Sequence, residues 1–256
     1  MNPDSGSGAL LQAELQYAAF NARRTTPGEA GAVVLGGNES FAWVFDPARP
    51  AHGYFSRAVC GAAVVEAPDP AQLLPPDIRA VELWPQAACE RMQQALSARG
   101  FRPAHTLCYL ARAPAHETVA PARIERLAHA QVDDFFDLLE IEGVEFPPDK
   151  RDRKRAFYCS AEFESFVSRD SSGTACAWAT LFTWSRTAFL GNVFTRPEQR
   201  RAGHHAALLE ARLRRARELD LELVFTDVEP ASQSHVNCER AGFRTLTVNT
   251  VWLRAD

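Results

Sequence analysis

The chain has no run approaching 18 consecutive apolar residues, so no transmembrane helix and no membrane partner are expected. Its amino terminus, Met1-Asn2-Pro3-Asp4-Ser5-Gly6-Ser7-Gly8, has no basic segment and no hydrophobic segment behind it. That reads as a disordered lead-in rather than an export signal. None of the six cysteines (Cys60, Cys89, Cys108, Cys159, Cys176, Cys238) forms a C-x-x-C pair or falls at metal-ligand spacing. In a chain of 256 residues this predicts free thiols in a reducing compartment, and a cytoplasmic location is expected. An excess of positive charge is also missing: the formal net charge is -4, which argues against a protein whose main task is gripping nucleic acid. What is present, 46% apolar and 23% charged residues, suits a globular chain of one large domain or two.

Two halves of the chain resemble each other. The segment Arg112-Ala113-Pro114-Ala115-His116-Glu117-Thr118 separates two periodic regions and reads as a linker, which divides the chain into domains at 1–117 and 118–256. Gly100-Phe101-Arg102 opens an alternating run to Ala113, and Gly242-Phe243-Arg244 opens one to Ala255, at a constant offset of 142 residues. Upstream of each, a short strand-like run stopped by proline (Val81–Pro85, Phe225–Pro230) leads into a helix that ends at the Gly-Phe pair. Glycine there suits a left-handed helix end, with the phenylalanine making the hydrophobic contact that follows. A duplicated fold is the reading.

The second half predicts a short strand over Arg123–Leu127 and a helix over His129–Ile141 with an apolar face of Val132, Phe135, Phe136, Leu138 and Leu139. An irregular charged connection with a second helix follows over Glu142–Arg155. Strands are expected at Phe163–Arg169, Thr174–Thr183 and Ala188–Thr195, with a hairpin turn at Asp170–Gly173. The second and third of these are apolar on both faces, as a sheet covered on both sides requires. A helix at His204–Leu219, a strand at Leu223–Val228, a helix at Ser232–Ala241 with Ser232 as N-cap, and a last strand at Thr245–Arg254 complete the order. The fold class is α/β: a mixed, mostly antiparallel central sheet flanked by helices.

Between the fourth strand and the third helix of this half lies Gln199-Arg200-Arg201-Ala202-Gly203-His204-His205. A basic, glycine-containing loop that opens into a helix offers backbone N–H groups and a positive helix end to a polyanion. Gly203 permits an unusual dihedral and a close approach, and Arg200 and Arg201 add charge-assisted bonds to phosphate oxygens. His204, His205 and His235 do not make a metal site. The adjacent pair points to different faces and no nearby Cys or Asp spacing completes a tetrahedron, so no metal is expected.

The loop, with Ser232–Phe243 closing on Gly-Phe downstream, resembles the GNAT N-acetyltransferase superfamily over about residues 119–256. Arg200-Arg201-Ala202-Gly203-His204-His205 matches the first Arg and first Gly of the family's pyrophosphate loop, Arg/Gln-x-x-Gly-x-Gly/Ala; His205 departs from the small residue that ends it. The resemblance implies acetyl-CoA as co-substrate, held by the loop from Arg200 to His205, with His204 and His205 beside phosphate. It further implies that the pantetheine arm inserts between splayed fourth and fifth strands and pairs with Asn192, Val193, Phe194 and Thr195. A backbone N–H near Val193 or Phe194 would then hold the oxyanion. The family's proton-donating tyrosine is replaced by Cys238, a candidate acid, and the only tyrosine of this half is Tyr158. Among Glu142, Glu145, Asp227 and Glu229, Glu142 is the first candidate for a general base.

The first half has no such loop and offers prolines around Gln72–Pro76 instead. It is expected to be a degenerate repeat that does not bind CoA and serves to wall the acceptor site or to form a dimer surface. The expected reaction is acetyl transfer to a primary amine of a small molecule or peptide, by direct attack in a ternary complex. The alternative reading, favoured by Cys238 and His205, is a non-catalytic acyl-CoA-binding or protein-interaction module.

Overall fold

A computed structural model of the chain describes residues 3–25, 33–38, 41–61, 72, 74–114, 124–145 and 147–255. The chain divides into two compact units. One comprises residues 1–110, 228–231 and 245–256, the other residues 111–227 and 232–244. The boundary expected at 117/118 lies outside the described residues. The division is not one cut in the chain, because the final strand belongs with the first unit.

In the first unit a long helix, α1 (Pro3–Thr25), precedes strands β1 (Val34–Gly37), β2 (Phe41–Phe45), β3 (Ser56–Cys60) and β4 (Ala80–Leu83). Helix α2 (Glu90–Ala98) leads to β5 (Phe101–Arg112), and the chain's last strand, β11 (Arg244–Arg254), completes the unit. The strand order is β1-β2-β3-β4-β11-β5. β1/β2 and β2/β3 are antiparallel and β3/β4 parallel, with β11 antiparallel to β4. One reading is corrected here. The lead-in is helical from Pro3, and α1 is buried on nearly all sides from Leu10 to Ala22, packed in part against β1 and β2, a burial that offsets the weak helix propensity of Ser5-Gly6-Ser7-Gly8.

The second unit holds β6 (Ile124–Arg126), α3 (Val132–Ile141), α4 (Pro148–Lys154), β7 (Phe163–Arg169), β8 (Ala175–Trp184) and β9 (Thr187–Thr195). It continues with α5 (His204–Glu218), β10 (Leu223–Val228) and α6 (Gln233–Arg240). The order is β10-β9-β8-β7-β6, with three antiparallel pairs and a parallel β9/β10 pair. Two antiparallel pairs followed by a parallel one therefore occur in both units, and each parallel strand leads through a helix to a left-handed glycine. Gly100 has φ +84° and Gly242 φ +81°, each followed by a buried phenylalanine, Phe101 and Phe243. The fold is duplicated.

The repeats differ where their parallel strands meet. β3 and β4 stay paired from Arg57↔Ala80 to Cys60↔Leu83, and Arg79 N→Ser56 O and Trp84 N→Cys60 O extend the closure at both ends. β9 and β10 pair only over Thr187–Phe189 and Leu223–Phe225 and then separate. The closed pair carries a buried polar network. Arg57 Nη2 lies 2.7 Å from Glu14 Oε1, and Tyr109 Oη donates to both Glu14 (2.8 Å) and Glu82 (3.2 Å). Asn249 Nδ2 of β11 donates to Glu82 at 2.6 Å. Burial, reinforced by the Glu82 charge, pushes the Glu14 carboxyl up to about 7 despite Arg57.

Candidate cofactor and acyl-transfer site

Gly203 stands at the N-cap of α5 with φ +86° and no side chain capping the helix. A β-carbon there would meet nothing within 4 Å, so the residue is required by its left-handed backbone, and the space in front of the helix is open. Arg201 is also left-handed (φ +69°). Arg200, Arg201 and Ala202 are exposed, and neither arginine makes an ion pair or side-chain hydrogen bond among the described residues. The loop is thus a hollow rimmed by two cations and backed by helix N–H groups, the arrangement suited to a diphosphate.

The two histidines do not lie where they were expected. His204 is 9% exposed and its Nδ1 meets Ser168 Oγ of β7 at 2.9 Å. Its ring anchors the first turn of α5 to the sheet, leaving only its backbone N–H for a phosphate. His205 turns into a cavity of about 290 Å³ lined by Leu190–Val193 of β9, Leu209 and Arg212 of α5, Thr226 and Asp227 of β10, and Ser234 and Cys238 of α6. Asn237 Nδ2 donates to His205 Nδ1 at 3.2 Å, which places the ring proton on Nε2, 3.5 Å from Ser234 Oγ. Burial, aided by the Arg212 charge, pushes His205 down to about 4. The ring is neutral at pH 7 and brings no charge to a phosphate.

The cavity occupies the gap where β9 and β10 part. Residues 187–190 of β9 are buried but Asn192 and Val193 are exposed, which corrects the reading of a strand covered on both faces throughout. The β8/β9 register runs Trp178↔Phe194 but Thr180↔Gly191, so Asn192 and Val193 together oppose Ala179. Asn192 has φ +48°. Such a bulge takes backbone groups out of the ladder and turns them elsewhere, here beside the cavity wall. Thr195 returns to register with Ala177.

On β8, Trp178 stacks on Phe194 with ring centroids 4.8 Å apart and donates from Nε1 to Glu142 Oε2 at 3.1 Å. Glu142, at the end of α3, is therefore tied to the residue facing the far end of the bulge. The neighbouring acids are occupied: Arg151 pairs with Asp137 and Glu140, and Arg155 with Asp133. Glu142 has no cationic partner among the described residues. Cys238 lies on the cavity wall, and burial pushes its thiol up to about 11, above the ordinary thiol value of about 8.5. Proton transfer from it to a departing thiol of ordinary acidity would run uphill. Trp178, Ser234, Asn237 and Arg212 were not singled out from sequence, although Arg212 stands at the i+4 position from Leu208 on the apolar stripe of α5, where a charged residue is out of pattern.

The Glu14 and His205 shifts have opposite signs in stability. Glu14 is raised from 4.5 to about 7, so its contribution is full below pH 4.5 and falls by on the order of 3 kcal/mol as pH rises to 7. His205 is lowered from 6.5 to about 4, so its contribution is present above pH 6.5 and lost as pH falls towards 4. In the wild type the two oppose each other over the same window. Glu14→Gln should leave only the His205 trend, so that denaturant midpoints measured across this range rise with pH more steeply than in wild type. Parallel curves for the two proteins would contradict the assignment.

Residues 125–243 match the family model described as Acetyltransferase (GNAT) family. No curated protein sequence matches the chain. Among solved structures the chain is similar to a GCN5-related N-acetyltransferase from Kribbella flavida (16% identity, 98% of this chain and 96% of that one, TM-score 0.66). It is also similar to a GCN5-related N-acetyltransferase from Sphaerobacter thermophilus (15%, 98% and 93%, TM-score 0.56). A tandem GNAT protein from the clavulanic acid biosynthesis pathway matches at 14% identity over 96% of this chain and 95% of that one, TM-score 0.52. At these identities the likeness is one of fold, and it extends over both repeats.

Proposed function

We infer, from the match of residues 125–243 to the GNAT acetyltransferase family model and the geometry of the second unit, that the chain moves an acetyl group from acetyl-CoA to a primary amine by direct attack in a ternary complex. The observation that carries the reading is the alignment of three features of one unit: the open hollow at Gly203, the gap between β9 and β10, and the bulge at Asn192–Val193. The hollow and Arg200–Arg201 take the diphosphate, and the arm enters the gap beside Asn192, Val193, Phe194 and Thr195. A backbone N–H of the bulge, at Val193, holds the oxyanion as it forms. Glu142 receives the proton of the incoming ammonium, directly or through water, and its carboxylate attracts the cation beforehand.

Glu142→Gln keeps the size of the side chain and its bond from Trp178 but removes the base. Turnover on an amine panel is expected to fall about a hundredfold, with the KM for acetyl-CoA unchanged because Glu142 lies outside the cavity lining. Full activity in the variant would remove Glu142 from the mechanism. Acetyl-CoA binding without turnover on any amine would instead favour a non-catalytic acyl-CoA-binding module.

A further inference from the structure

Among the described residues, the cavity wall carries no side chain suited to protonating a departing thiol. Tyr158 is 3% exposed and packed among Phe135, Phe136 and Phe163, outside the cavity lining. Cys238 holds its proton too tightly and His205 is neutral, with Nδ1 already bonded to Asn237. What the cavity does hold is a fixed positive charge. Arg212 is 2% exposed, lies on the cavity wall, and donates from Nε to Leu208 O and from Nη1 to Thr180 O, each at 3.1 Å. Thr180 in turn donates to Gly191 O at 3.1 Å and accepts from Asn192 Nδ2 at 3.2 Å. The guanidinium is therefore joined through one residue to the bulge. It stands nine residues beyond Gly203, about 13 Å along α5 from the phosphate hollow. Asp227 lies on the β10 wall of the same cavity and is exposed, whereas Arg212 is buried, where interactions between charges are screened less by salt.

We propose that Arg212 stabilises the departing thiolate, so that the thiol leaves ionised and takes its proton from water after release. The proposal rests on the transfer reading above. The amine, having lost one proton to Glu142 or its water, forms the N–C bond as the carbonyl pair moves to oxygen. When that pair returns, the C–S bond breaks and its electrons stay on sulfur, facing the guanidinium. Nitrogen then sheds its second proton to solvent. A cation fixed in a low-dielectric cavity replaces the missing acid without needing a matched pKa.

The experiment is an ultraviolet titration of the CoA thiol bound to the full chain carrying Cys238→Ala, with free CoA as reference. The bound thiol is expected to ionise at least about one pH unit below free CoA, a tenfold preference for the thiolate. Arg212→Lys should retain much of that shift and Arg212→Met should lose it. In parallel, Arg212→Met is expected to lower kcat for acetyl transfer by about tenfold or more with little change in the KM for acetyl-CoA. A bound thiol that ionises at or above the pH of free CoA overturns the proposal, and that comparison needs no Arg212 variant to fold. A calorimetric titration of CoA separates the two levels. Absence of binding sinks the transfer reading, whereas CoA that binds with an unshifted thiol sinks only the role of Arg212.

Discussion

Gly203→Glu is expected to abolish acetyl-CoA binding, raising Kd by at least about a hundredfold, which corresponds to roughly 3 kcal/mol. Two effects act together. At φ +86° any side chain other than Asn or Asp is strained, and the new carboxylate stands in the hollow where the diphosphate belongs. It would also accept hydrogen bonds from the first N–H groups of α5, capping the very donors the ligand needs. The open space at Gly203 means that no steric clash forces the loop apart, so beyond the backbone strain the loss reports on charge and donor occupation. Gly203→Asn provides the control, since asparagine tolerates the left-handed region and adds no charge; it should weaken binding far less. Calorimetry with acetyl-CoA decides the matter, and an unchanged affinity in Gly203→Glu would remove the loop from the site.

That hollow was legible in the sequence because its signals are local. A glycine before an amphipathic helix, two arginines and a preceding strand all lie within one short stretch, and the left-handed φ follows from residue type. The β7, β8 and β9 strands were legible for the same reason, as were the Ser232 cap, which accepts from His235 N at 3.2 Å, and the Gly-Phe endings. The contents of the cavity were not. Arg212 departs from the apolar stripe of α5 only by being charged, which in a helix that also carries Arg214, Arg215 and Arg217 is a weak signal, and it is its burial in the structure that sets it apart. His204 and His205 are adjacent residues of one helix, and which of them faces the sheet depends on how α5 is rotated on β7, β8 and β9. The repeat at offset 142 revealed the duplication, but strand partnership is a non-local property. Nothing in the alternation of residues 244–254 says which β-strand they will lie beside.

Deleting residues 244–256 is therefore expected to unfold the first unit, although the deletion falls at the far end of the second repeat. β11 lies between β4 and β5, pairing with β4 from Thr250↔Leu83 to Leu253↔Ala80. Its Trp252 belongs to the apolar core with Val81, Leu83, Met92, Leu96 and Phe101, and loss of a buried tryptophan alone costs about 3–5 kcal/mol. Its Asn249 is fully buried and donates to Glu82, a carboxylate that would otherwise keep a buried acceptor without that partner, at a further cost of about 1–3 kcal/mol. The sum rivals the whole stability of an ordinary domain. Hydrogen exchange resolved by peptide should show protection lost in β3, β4 and β5 of the truncated chain before it is lost in β7 and β8. Asn249→Ala tests the same point in a chain that keeps its strand: exchange should quicken in β4 and leave β8 unchanged. Loss of protection confined to residues 124–240, with β3 and β4 intact, would mean that the last strand serves the second unit after all.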